Sequence, residues 1–412
     1  REAFYIAKSG RPGPVLVDIP KDVTAAMYEY EHEVPVSVPR QTDTISQSDI
    51  QVVADLIKVA EKPFIYAGGG IVSADANKEL RNFAEKIDAP VATSLMGLGA
   101  FPETHPLSTG MVGMHGSKAS NLGVTNCDLL IALGARFSDR VISDVSKFAP
   151  NATIVHIDVD AAEIGKNVPT QASIVGDVKE ILNMLLPLVP RKENKEWLVQ
   201  IERWKEEFPY TYQDGDNLRP QFIMNNIYDQ TDGRAIITTE VGQHQMWAAQ
   251  FFKYTMPRTF ISSGGLGTMG YGTGASIGAQ IGRPDVPVVH IAGDGSFRMN
   301  CNELATISHY DVPVIIIVMN NTTLGMVRQW QTAFYEKRYS QTTLDRGPDF
   351  TLLAEAFGVK GYTVRTQEDF IEAFSEALAA HKPAVLNCFI DMDEKVLPMV
   401  APGAAIDNLI LE

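Results

Sequence analysis

The chain has 412 residues, 45% of them hydrophobic, which is enough to bury two ordinary cores. Its 35 Lys and Arg residues against 50 Asp and Glu residues give a net charge of −15, which disfavours binding to nucleic acid. Cys127, Cys301 and Cys388 lie far apart and mostly in apolar stretches, so they indicate buried thiols of a reducing compartment. The apolar runs are too short to cross a bilayer and no signal-peptide pattern opens the chain, so we expect a cytoplasmic protein without a membrane partner.

The first 48 residues predict isolated elements and a linker. A helical pattern covers residues 2–8, and an apolar strand is predicted at 15–19 without a sheet of its own. Residues 34–48 are rich in Val, Pro, Thr and Ser, a composition that is typical of segments between domains. We therefore expect residues 1–33 to be the remnant of an upstream domain and 34–48 to be a linker.

Strands and helices alternate from residue 49 onward. A helix at 49–60 precedes a strand at 63–67, the turn Gly68-Gly69-Gly70, and Ser73 as a candidate N-cap. Further strands are predicted at 90–93, 128–133, 153–158 and 172–175. This rhythm predicts a doubly wound parallel-sheet domain over residues 49–190.

A polar helix at 194–208 lies in a predicted connector, 191–218, and a second alternation follows over 219–412. Its strands are predicted at 235–239, 259–262, 288–292, 312–319, 361–364 and 384–390. The fold class is therefore α/β, with two doubly wound parallel-sheet domains.

Two strands of the second domain lead into polar motifs. The strand at 288–292 precedes Gly293-Asp294-Gly295-Ser296-Phe297, and the strand at 312–319 precedes Asn320-Asn321. Ligands of open α/β sheets collect at the carboxyl ends of strands, so Asp294 and Asn321 are expected in one crevice. A carboxylate, an amide and a backbone carbonyl suit Mg²⁺, which takes its other ligands from water and phosphate. Asp294 alone would be read as a helix N-cap, but the spacing to Asn321 favours a metal and diphosphate site.

The glycine motif Gly265-Leu-Gly267-Thr-Met-Gly270 permits another interpretation. It matches the dinucleotide-binding fingerprint, follows a strand and precedes a predicted helix. The acidic residue expected at the end of the next strand is missing, so a nicotinamide site is disfavoured. Glycines at such a turn still allow the close approach of a phosphate or a ring.

Taken together, these motifs resemble the signature of thiamin-diphosphate enzymes, and of acetohydroxyacid synthases in particular. The segments that carry the similarity are Glu240-Val-Gly-Gln243-His244, Ser263-Gly-Gly-Leu-Gly-Thr-Met-Gly-Tyr271 and Leu324-Gly-Met-Val-Arg-Gln-Trp330. The resemblance extends over essentially the whole chain.

The resemblance implies a set of metal and cofactor contacts in the domain at 219–412. Asp294, Asn321 and the backbone carbonyl of Thr323 would hold Mg²⁺. Met269 would support thiamin diphosphate in the bent form that deprotonates itself to an ylid. The residues expected around this cofactor are Gln243, His244, Gly267, Met269, Gly293, Gly295, Ser296, Leu324, Gly325 and Met326.

The implied activity is that of an acetohydroxyacid synthase catalytic chain, a transferase. The ylid would attack pyruvate, carbon dioxide would leave, and the hydroxyethyl carbanion would add to pyruvate or 2-ketobutyrate. The products, acetolactate or acetohydroxybutyrate, are precursors of branched-chain amino acids. Arg140 and Trp330 are the candidates for the carboxylate and the side chain of the second keto acid. Family members form homodimers or homotetramers and usually bind a small regulatory subunit.

The same resemblance assigns FAD to the domain at 49–190. The matching positions are Gly69, Gly113, Met114, His115, Gly134, Arg136, Asp158, Gly176 and Asp177. Within Arg136-Phe-Ser138-Asp139-Arg140, Ser138 stands where the family usually has Asp, and we expect only a local change in hydrogen bonding.

One expected catalytic group is absent from this sequence. Thiamin-diphosphate enzymes use a Glu of a pyrimidine-binding domain, and that domain normally precedes the point where this chain begins. We therefore interpret the chain as a fragment of a synthase whose activity alone is doubtful. The alternatives are another carboligase or oxidase of the superfamily, such as glyoxylate carboligase or pyruvate oxidase, and a truncated chain that binds cofactors without turnover.

Overall fold

The computed structural model describes residues 1–32, 34, 37–212, 215 and 217–411. Residues 33, 35, 36, 213, 214, 216 and 412, which belong to the predicted remnant, linker, connector and second domain, lie outside the described residues. In the described part of the chain, no helix combines the length and the apolar character needed to cross a membrane.

The first half of the described residues contains one parallel sheet of six strands. They are β1 (Pro63–Ala67), β2 (Val91–Thr93), β3 (Ser108–Met111), β4 (Leu129–Leu133), β5 (Thr153–Asp158) and β6 (Ala172–Val175). Their order is β3-β2-β1-β4-β5-β6, the order of a doubly wound sheet. Every residue of β1 and β4 is buried, as expected for central strands with helices on both faces.

Helices cover both faces of this sheet. In chain order the helices of this half are α1 (Glu2–Lys8), α2 (Lys21–Ala25), α3 (Gln47–Val59), α4 (Gly69–Ser73), α5 (Asn77–Ile87), α6 (Lys118–Asn126), α7 (Asp139–Ile142), α8 (Val178–Leu185) and α9 (Lys195–Glu207). Neither α1 nor α2 buries a residue, so these two helices do not cover the sheet. The apolar faces of α3, α5 and α8 form one core layer with the sheet, and Trp197 and Ile201 of α9 join the layer on the other face.

A second parallel sheet follows, also of six strands within the described residues. They are β7 (Ile236–Thr239), β8 (Phe260–Ile261), β9 (Val288–Gly293), β10 (Ile315–Asn320), β11 (Lys360–Val364) and β12 (Ala384–Phe389). Their order is β11-β12-β10-β9-β7-β8. The two parallel sheets confirm the predicted α/β class, and each lies inside one of the two proposed domains.

The helices of this half are α10 (Pro220–Gln230), α11 (Gln243–Phe251), α12 (Tyr271–Gly282), α13 (Asp294–Phe297), α14 (Leu304–His309), α15 (Gly325–Phe334), α16 (Phe350–Ala356) and α17 (Gln367–Ala380). Short 3₁₀ turns occur at Leu95–Gly97, Val145–Lys147, Ala161–Glu163 and Cys301–Glu303. A final antiparallel pair, β13 (Met399–Val400) and β14 (Leu409–Ile410), returns the chain to the first half, where the Val400 N–H donates to the Met114 carbonyl at 2.8 Å.

Most predicted elements are present, and two local predictions are wrong. The stretch at 15–19 forms no strand, because no described strand pairs with its N–H and C=O groups. Ser73 ends α4 instead of capping the next helix, since the glycines that were predicted as a turn begin α4 themselves. The short strand β3 was not predicted at all.

Candidate active site

Two neighbouring strands deliver the predicted metal ligands to one place. In the register of β9 and β10, Met319 pairs with Gly293, so both strands end at the same edge of the sheet. Asp294 begins α13 immediately after β9, and Asn321 follows β10. The carboxylate and the amide line the same cavity, together with Thr323.

The Asp294 carboxylate is suited to a cation. Its side chain is buried, with 2% exposure, and its Oδ2 atom has no hydrogen-bond partner. Burial raises the pKa of Asp294 to about 6, and the positive charge of Arg298 opposes this shift only in part. A buried carboxylate oxygen without a partner is costly, and a bound cation would remove that cost.

The donor set also fits Mg²⁺ by its chemistry. No group of three or more His, Cys, Asp or Glu side chains gathers into a metal cluster anywhere among the described residues. A metal held here would instead take one carboxylate oxygen of Asp294, one amide oxygen of Asn321 and the carbonyl of Thr323. Mg²⁺ prefers a ligand set with few protein oxygens, in which phosphate and water supply the remaining ligands.

The cavity around these ligands measures about 110 Å³, and four glycines, Gly242, Gly293, Gly295 and Gly325, are among its lining residues. A Cβ atom on Gly293 would lie 2.8 Å from His244 Nδ1, and one on Gly295 would lie 2.8 Å from Leu324 Cδ2. Side chains at these positions would therefore fill the space that a diphosphate needs. The lining residues are Val241, Gly242, Gln243, His244, Trp247, Met269, Gly293, Asp294, Gly295, Ser296, Met319, Asn321, Thr323, Leu324, Gly325, Met326 and Val327.

His244 offers a second unpaired polar atom to this cavity. It lies at the N-terminal end of α11, and its Nε2 atom is buried without a hydrogen-bond partner. Burial lowers the pKa of His244 to about 4, so the ring is neutral near pH 7. A neutral imidazole with a free nitrogen can donate a hydrogen bond to a phosphate oxygen at this position.

Glu240 is a site residue whose role sequence analysis did not identify. Its carboxylate is fully buried and accepts hydrogen bonds from the backbone N–H groups of Gly270 at 2.5 Å, Gly272 at 3.0 Å and Thr273 at 3.2 Å. Burial alone would raise the pKa of Glu240, but the nearby His290 ring, whose Nε2 lies 3.6 Å from Glu240 Oε1, and the Gly270 N–H hold it below its usual value. Glu240 thus fixes the start of α12 beside Met269.

A larger cleft of about 1180 Å³ adjoins the cavity, and the two share Val241, Gly242, Met326 and Val327. Its size is sufficient for a large organic cofactor together with a substrate. Among the predicted site residues, the cleft is lined by Met114, His115, Arg136, Arg140, Gly267, Met326 and Trp330. The structure therefore brings residues from both halves of the chain to one opening.

Arg140 and Trp330 face this cleft in different ways. The Arg140 side chain is 67% exposed, and its contact with Asp139 is long, at 3.8 Å. Trp330 is half-buried and packs edge-on against Phe334, with ring centroids 5.3 Å apart. Neither side chain is committed to the core, so both are available to a ligand in the cleft.

The other residues predicted around the flavin do not line the cleft. Gly69, Gly134, Asp158 and Gly176 lie at the carboxyl edge of the first sheet, and Gly113 follows β3. Backbone packing explains the small residue at 134, because a Cβ there would lie 2.6 Å from Gly70 Cα. Asp177 caps α8 by accepting from the Lys179 N–H at 3.0 Å, and it pairs with Arg40 at 2.8 Å.

Comparison with known proteins agrees with this geometry. Residues 240–388 match the family model of the thiamine pyrophosphate enzyme C-terminal TPP binding domain, and residues 50–185 match that of the thiamine pyrophosphate enzyme central domain. The probable acetolactate synthase large subunit of Methanocaldococcus jannaschii is 46% identical over 425 residues, covering 100% of this chain and 72% of that protein. This chain belongs to the acetolactate synthase large-subunit family.

Two further members of the acetolactate synthase family show similar identity. The acetolactate synthase large subunit of Corynebacterium glutamicum is 45% identical over 99% of this chain and 67% of its own length. The mitochondrial acetolactate synthase catalytic subunit of Saccharomyces cerevisiae is 44% identical over 99% of this chain and 63% of its own length. These relatives confirm the predicted resemblance and its class, a thiamine-pyrophosphate-dependent enzyme of the acetolactate synthase type.

Proposed function

We propose that this acetolactate synthase chain decarboxylates pyruvate and joins the remaining two-carbon unit to pyruvate or 2-ketobutyrate, with thiamin diphosphate and Mg²⁺. The observation that carries the proposal is the unpaired Asp294 Oδ2 atom, in a cavity that Asn321 and Thr323 also line. Thiamin diphosphate, when bound, supplies the electron sink for the decarboxylation.

The residues of the smaller cavity would hold the charged end of the cofactor. Asp294, Asn321 and the Thr323 carbonyl would ligate Mg²⁺, and Nε2 of neutral His244 would donate to a diphosphate oxygen. Gln243 would lie beside the same group. Met269, positioned by the Glu240 contacts at the start of α12, lines this cavity and would support the cofactor there.

The larger cleft would receive the substrates. The exposed Arg140 guanidinium would pair with the carboxylate of the second keto acid, because a planar guanidinium matches a carboxylate with two hydrogen bonds. The half-buried Trp330 ring would pack against the side chain of that keto acid. Extra apolar contact with Trp330 would favour 2-ketobutyrate, which has one more CH₂ group than pyruvate.

Product analysis tests the proposal directly. In protein that also contains the pyrimidine-binding domain with its Glu, incubation with pyruvate should yield acetolactate, and addition of 2-ketobutyrate should yield acetohydroxybutyrate. Asp294→Asn should abolish both products, whereas Asp285→Asn should not, since Asp285 lies on the surface in an exposed ion pair with Arg283. Tartronate semialdehyde from glyoxylate, or acetyl phosphate from pyruvate, would instead identify another enzyme of the superfamily.

FAD is proposed for the larger cleft, with Met114, His115 and Arg136 as its contacts. Burial lowers the pKa of His115 to about 4, so this ring would meet the flavin in its neutral form. The visible absorbance of the purified protein tests this assignment. A flavin spectrum that is lost in Arg136→Ala would support it, and a colourless protein that takes up no added FAD would refute it.

Assembly and location are the remaining parts of the proposal. We propose a homodimer or homotetramer that binds a small regulatory subunit, since the relatives are named large or catalytic subunits. Light scattering of the purified chain would test the homo-oligomer. The cytoplasm remains the proposed compartment, in keeping with the free thiols of Cys127, Cys301 and Cys388, although the yeast relative is named a mitochondrial protein.

A further inference from the structure

Helix α15 buries a glutamine where an apolar residue would be expected. Gln329 is the only buried residue of this helix, with 7% exposure. Its side-chain oxygen accepts from the Val396 N–H at 2.9 Å, and its nitrogen donates to the Val396 carbonyl at 3.0 Å. Because the N–H and C=O of a backbone peptide cannot exchange places, these two bonds fix which end of the Gln329 amide is oxygen.

The fixed amide of Gln329 in turn determines the orientation of the Gln243 amide in the smaller cavity. The Gln243 Nε2 atom donates to Gln329 Oε1 at 2.8 Å and to the Glu394 carbonyl at 2.9 Å. Both partners are acceptors only, so the nitrogen of Gln243 must face them. The Gln243 oxygen is therefore turned to the other side, toward Asn321.

The Gln243 amide in turn orients the amide of Asn321, the proposed metal ligand. Asn321 Nδ2 donates to Gln243 Oε1 at 3.3 Å, which leaves Asn321 Oδ1 on the opposite side of its amide. There Oδ1 accepts from the Thr323 N–H at 3.2 Å. If the Asn321 amide were flipped, an NH₂ group would stand where the oxygen stands now, and an NH₂ group cannot ligate Mg²⁺.

We propose that Gln329 is a positioning residue of the metal site. Through Gln243 it fixes the amide of Asn321 so that oxygen, and not nitrogen, is presented to the cation. The inference rests on the proposed function, because it assumes that Asn321 ligates Mg²⁺. Gln329 itself lines neither the cavity nor the larger cleft, so it acts only through its neighbours.

The test compares Gln329→Met with a matched control in the full protein. Mg²⁺ is titrated calorimetrically into protein that is saturated with thiamin diphosphate, and the melting temperature is recorded in parallel. Gln329→Met should raise the Kd of Mg²⁺ by roughly tenfold, the usual effect of removing a group that orients a metal ligand.

The control is Gln280→Met, which removes a similar set of hydrogen bonds between a side-chain amide and the backbone at a residue that lines neither cavity. Gln280 is also buried; it donates to the carbonyls of Arg283 and Val286 and accepts from the Val288 N–H. This variant should lower the melting temperature and leave the Kd of Mg²⁺ unchanged. An equal rise of Kd in both variants would overturn the inference, because the effect would then reflect general destabilisation.

A double-mutant comparison separates orientation from simple packing. A carboxylate presents oxygen in either orientation, so in an Asn321→Asp background the substitution Gln329→Met should cost no Mg²⁺ affinity. The same loss in both backgrounds would overturn the inference.

If Gln329→Met does not fold, Gln329→Glu replaces it, since a carboxylate still accepts hydrogen bonds from the Val396 N–H and from Gln243 Nε2. Its Kd should stay within about threefold of the wild type, well short of the tenfold loss, and a larger rise would overturn the inference.

The wild-type titration distinguishes a failure of the proposed function from a failure of the proposed role of Gln329. Wild-type protein that binds no Mg²⁺ in the presence of thiamin diphosphate would overturn the proposed function, and the inference with it. Wild-type binding together with an unchanged Kd in Gln329→Met would overturn the role of Gln329 alone.

Discussion

The Glu240 carboxylate accepts the backbone N–H of Gly270 at 2.5 Å, and this contact ties the end of β7 to the start of α12. Its second oxygen accepts from Gly272 and Thr273. Met269, which lines the smaller cavity, is the residue directly before Gly270. The position of Met269 therefore depends on a buried charge that does not itself line either cavity.

Substitution of Glu240 by Gln should weaken thiamin diphosphate binding and lower stability. An amide has one acceptor atom, so either Gly270 or the Gly272 and Thr273 pair would lose its partner. A buried donor left without an acceptor costs about 1–3 kcal/mol. Thermal unfolding and a fluorescence titration with thiamin diphosphate measure both effects.

Thr273→Val is the control for the Glu240 prediction. It removes only the hydroxyl contact to Glu240, which is long at 3.4 Å, and retains the backbone N–H bond. Thr273→Val should therefore lower the melting temperature and the affinity for thiamin diphosphate clearly less than Glu240→Gln does. A Glu240→Gln protein with wild-type melting temperature and wild-type cofactor affinity would show that these N–H groups do not depend on the carboxylate.

Gly325→Ala should impair Mg²⁺ and diphosphate binding. A Cβ at this position would lie 2.7 Å from Asn321 Nδ2 and closer still to Gln243 Oε1, so it would separate the two amides. Gly278→Ala is the matched control, because Gly278 lies within α12 with open space around it and should gain roughly 0.5–1 kcal/mol of stability. Equal Mg²⁺ affinity in both variants would contradict the prediction.

Trp330→Leu should change the product ratio more than it changes stability. Trp330 is half-buried at the larger cleft, and its removal would take apolar contact from a bound 2-ketobutyrate. The ratio of acetohydroxybutyrate to acetolactate from mixed keto acids should therefore fall. Trp204→Leu removes another half-buried Trp, packed against Trp197 of α9, and should leave the ratio unchanged. A Trp330→Leu enzyme with the wild-type ratio would argue against this role.

Sequence analysis located the strands where burial makes a continuous apolar run, such as β1, β4 and β10. It missed β3, whose sequence Ser-Thr-Gly-Met carries no such run and whose pairing with β2 is irregular. The strand predicted at 15–19 failed for the opposite reason, since its apolar composition has no described strand to pair with. An apolar run indicates that a segment is buried, but it does not show which strand the segment pairs with.

In the candidate site, too, some residues could be predicted from the sequence and others could not. Asp294 and Asn321 were predicted to lie together because strand ends share an edge of the sheet, and they do line one cavity. Gln329 was missed because a polar residue in a helix is normally exposed, and only the contacts with Val396 and Gln243 show why it is buried. A hydrogen-bond partner 67 residues away in the chain leaves no local signal.

Glu103 gives a prediction about pH. Its carboxylate accepts the Tyr254 N–H at 2.6 Å and its own N–H donates to the Tyr254 carbonyl at 3.1 Å, which joins the two halves of the molecule. Burial raises the pKa of Glu103 to about 8, from an ordinary value of 4.5. The folded protein thus holds this proton between those two values while the unfolded chain releases it.

The sign of the effect follows from this difference in bound protons. The contribution of Glu103 to stability is fully present below pH 4.5 and is lost as the pH rises toward 8. Gln carries no charge at any pH, so Glu103→Gln should become more stable relative to the wild type between about pH 5 and about pH 8. Urea unfolding at both values measures the change.

Asp285→Asn provides the contrast for the Glu103 prediction. The hydrogen bonds from Arg283 hold the pKa of Asp285 below its ordinary value of 3.8, so its contribution is lost only as the pH falls below that range. Because Arg283 keeps its charge throughout, the difference between Asp285→Asn and the wild type should stay constant from about pH 5 to about pH 8. A constant difference for Glu103→Gln as well would show that the Glu103 carboxyl is already ionised at the lower pH, and that its contact with Tyr254 does not link the two halves in a pH-dependent way.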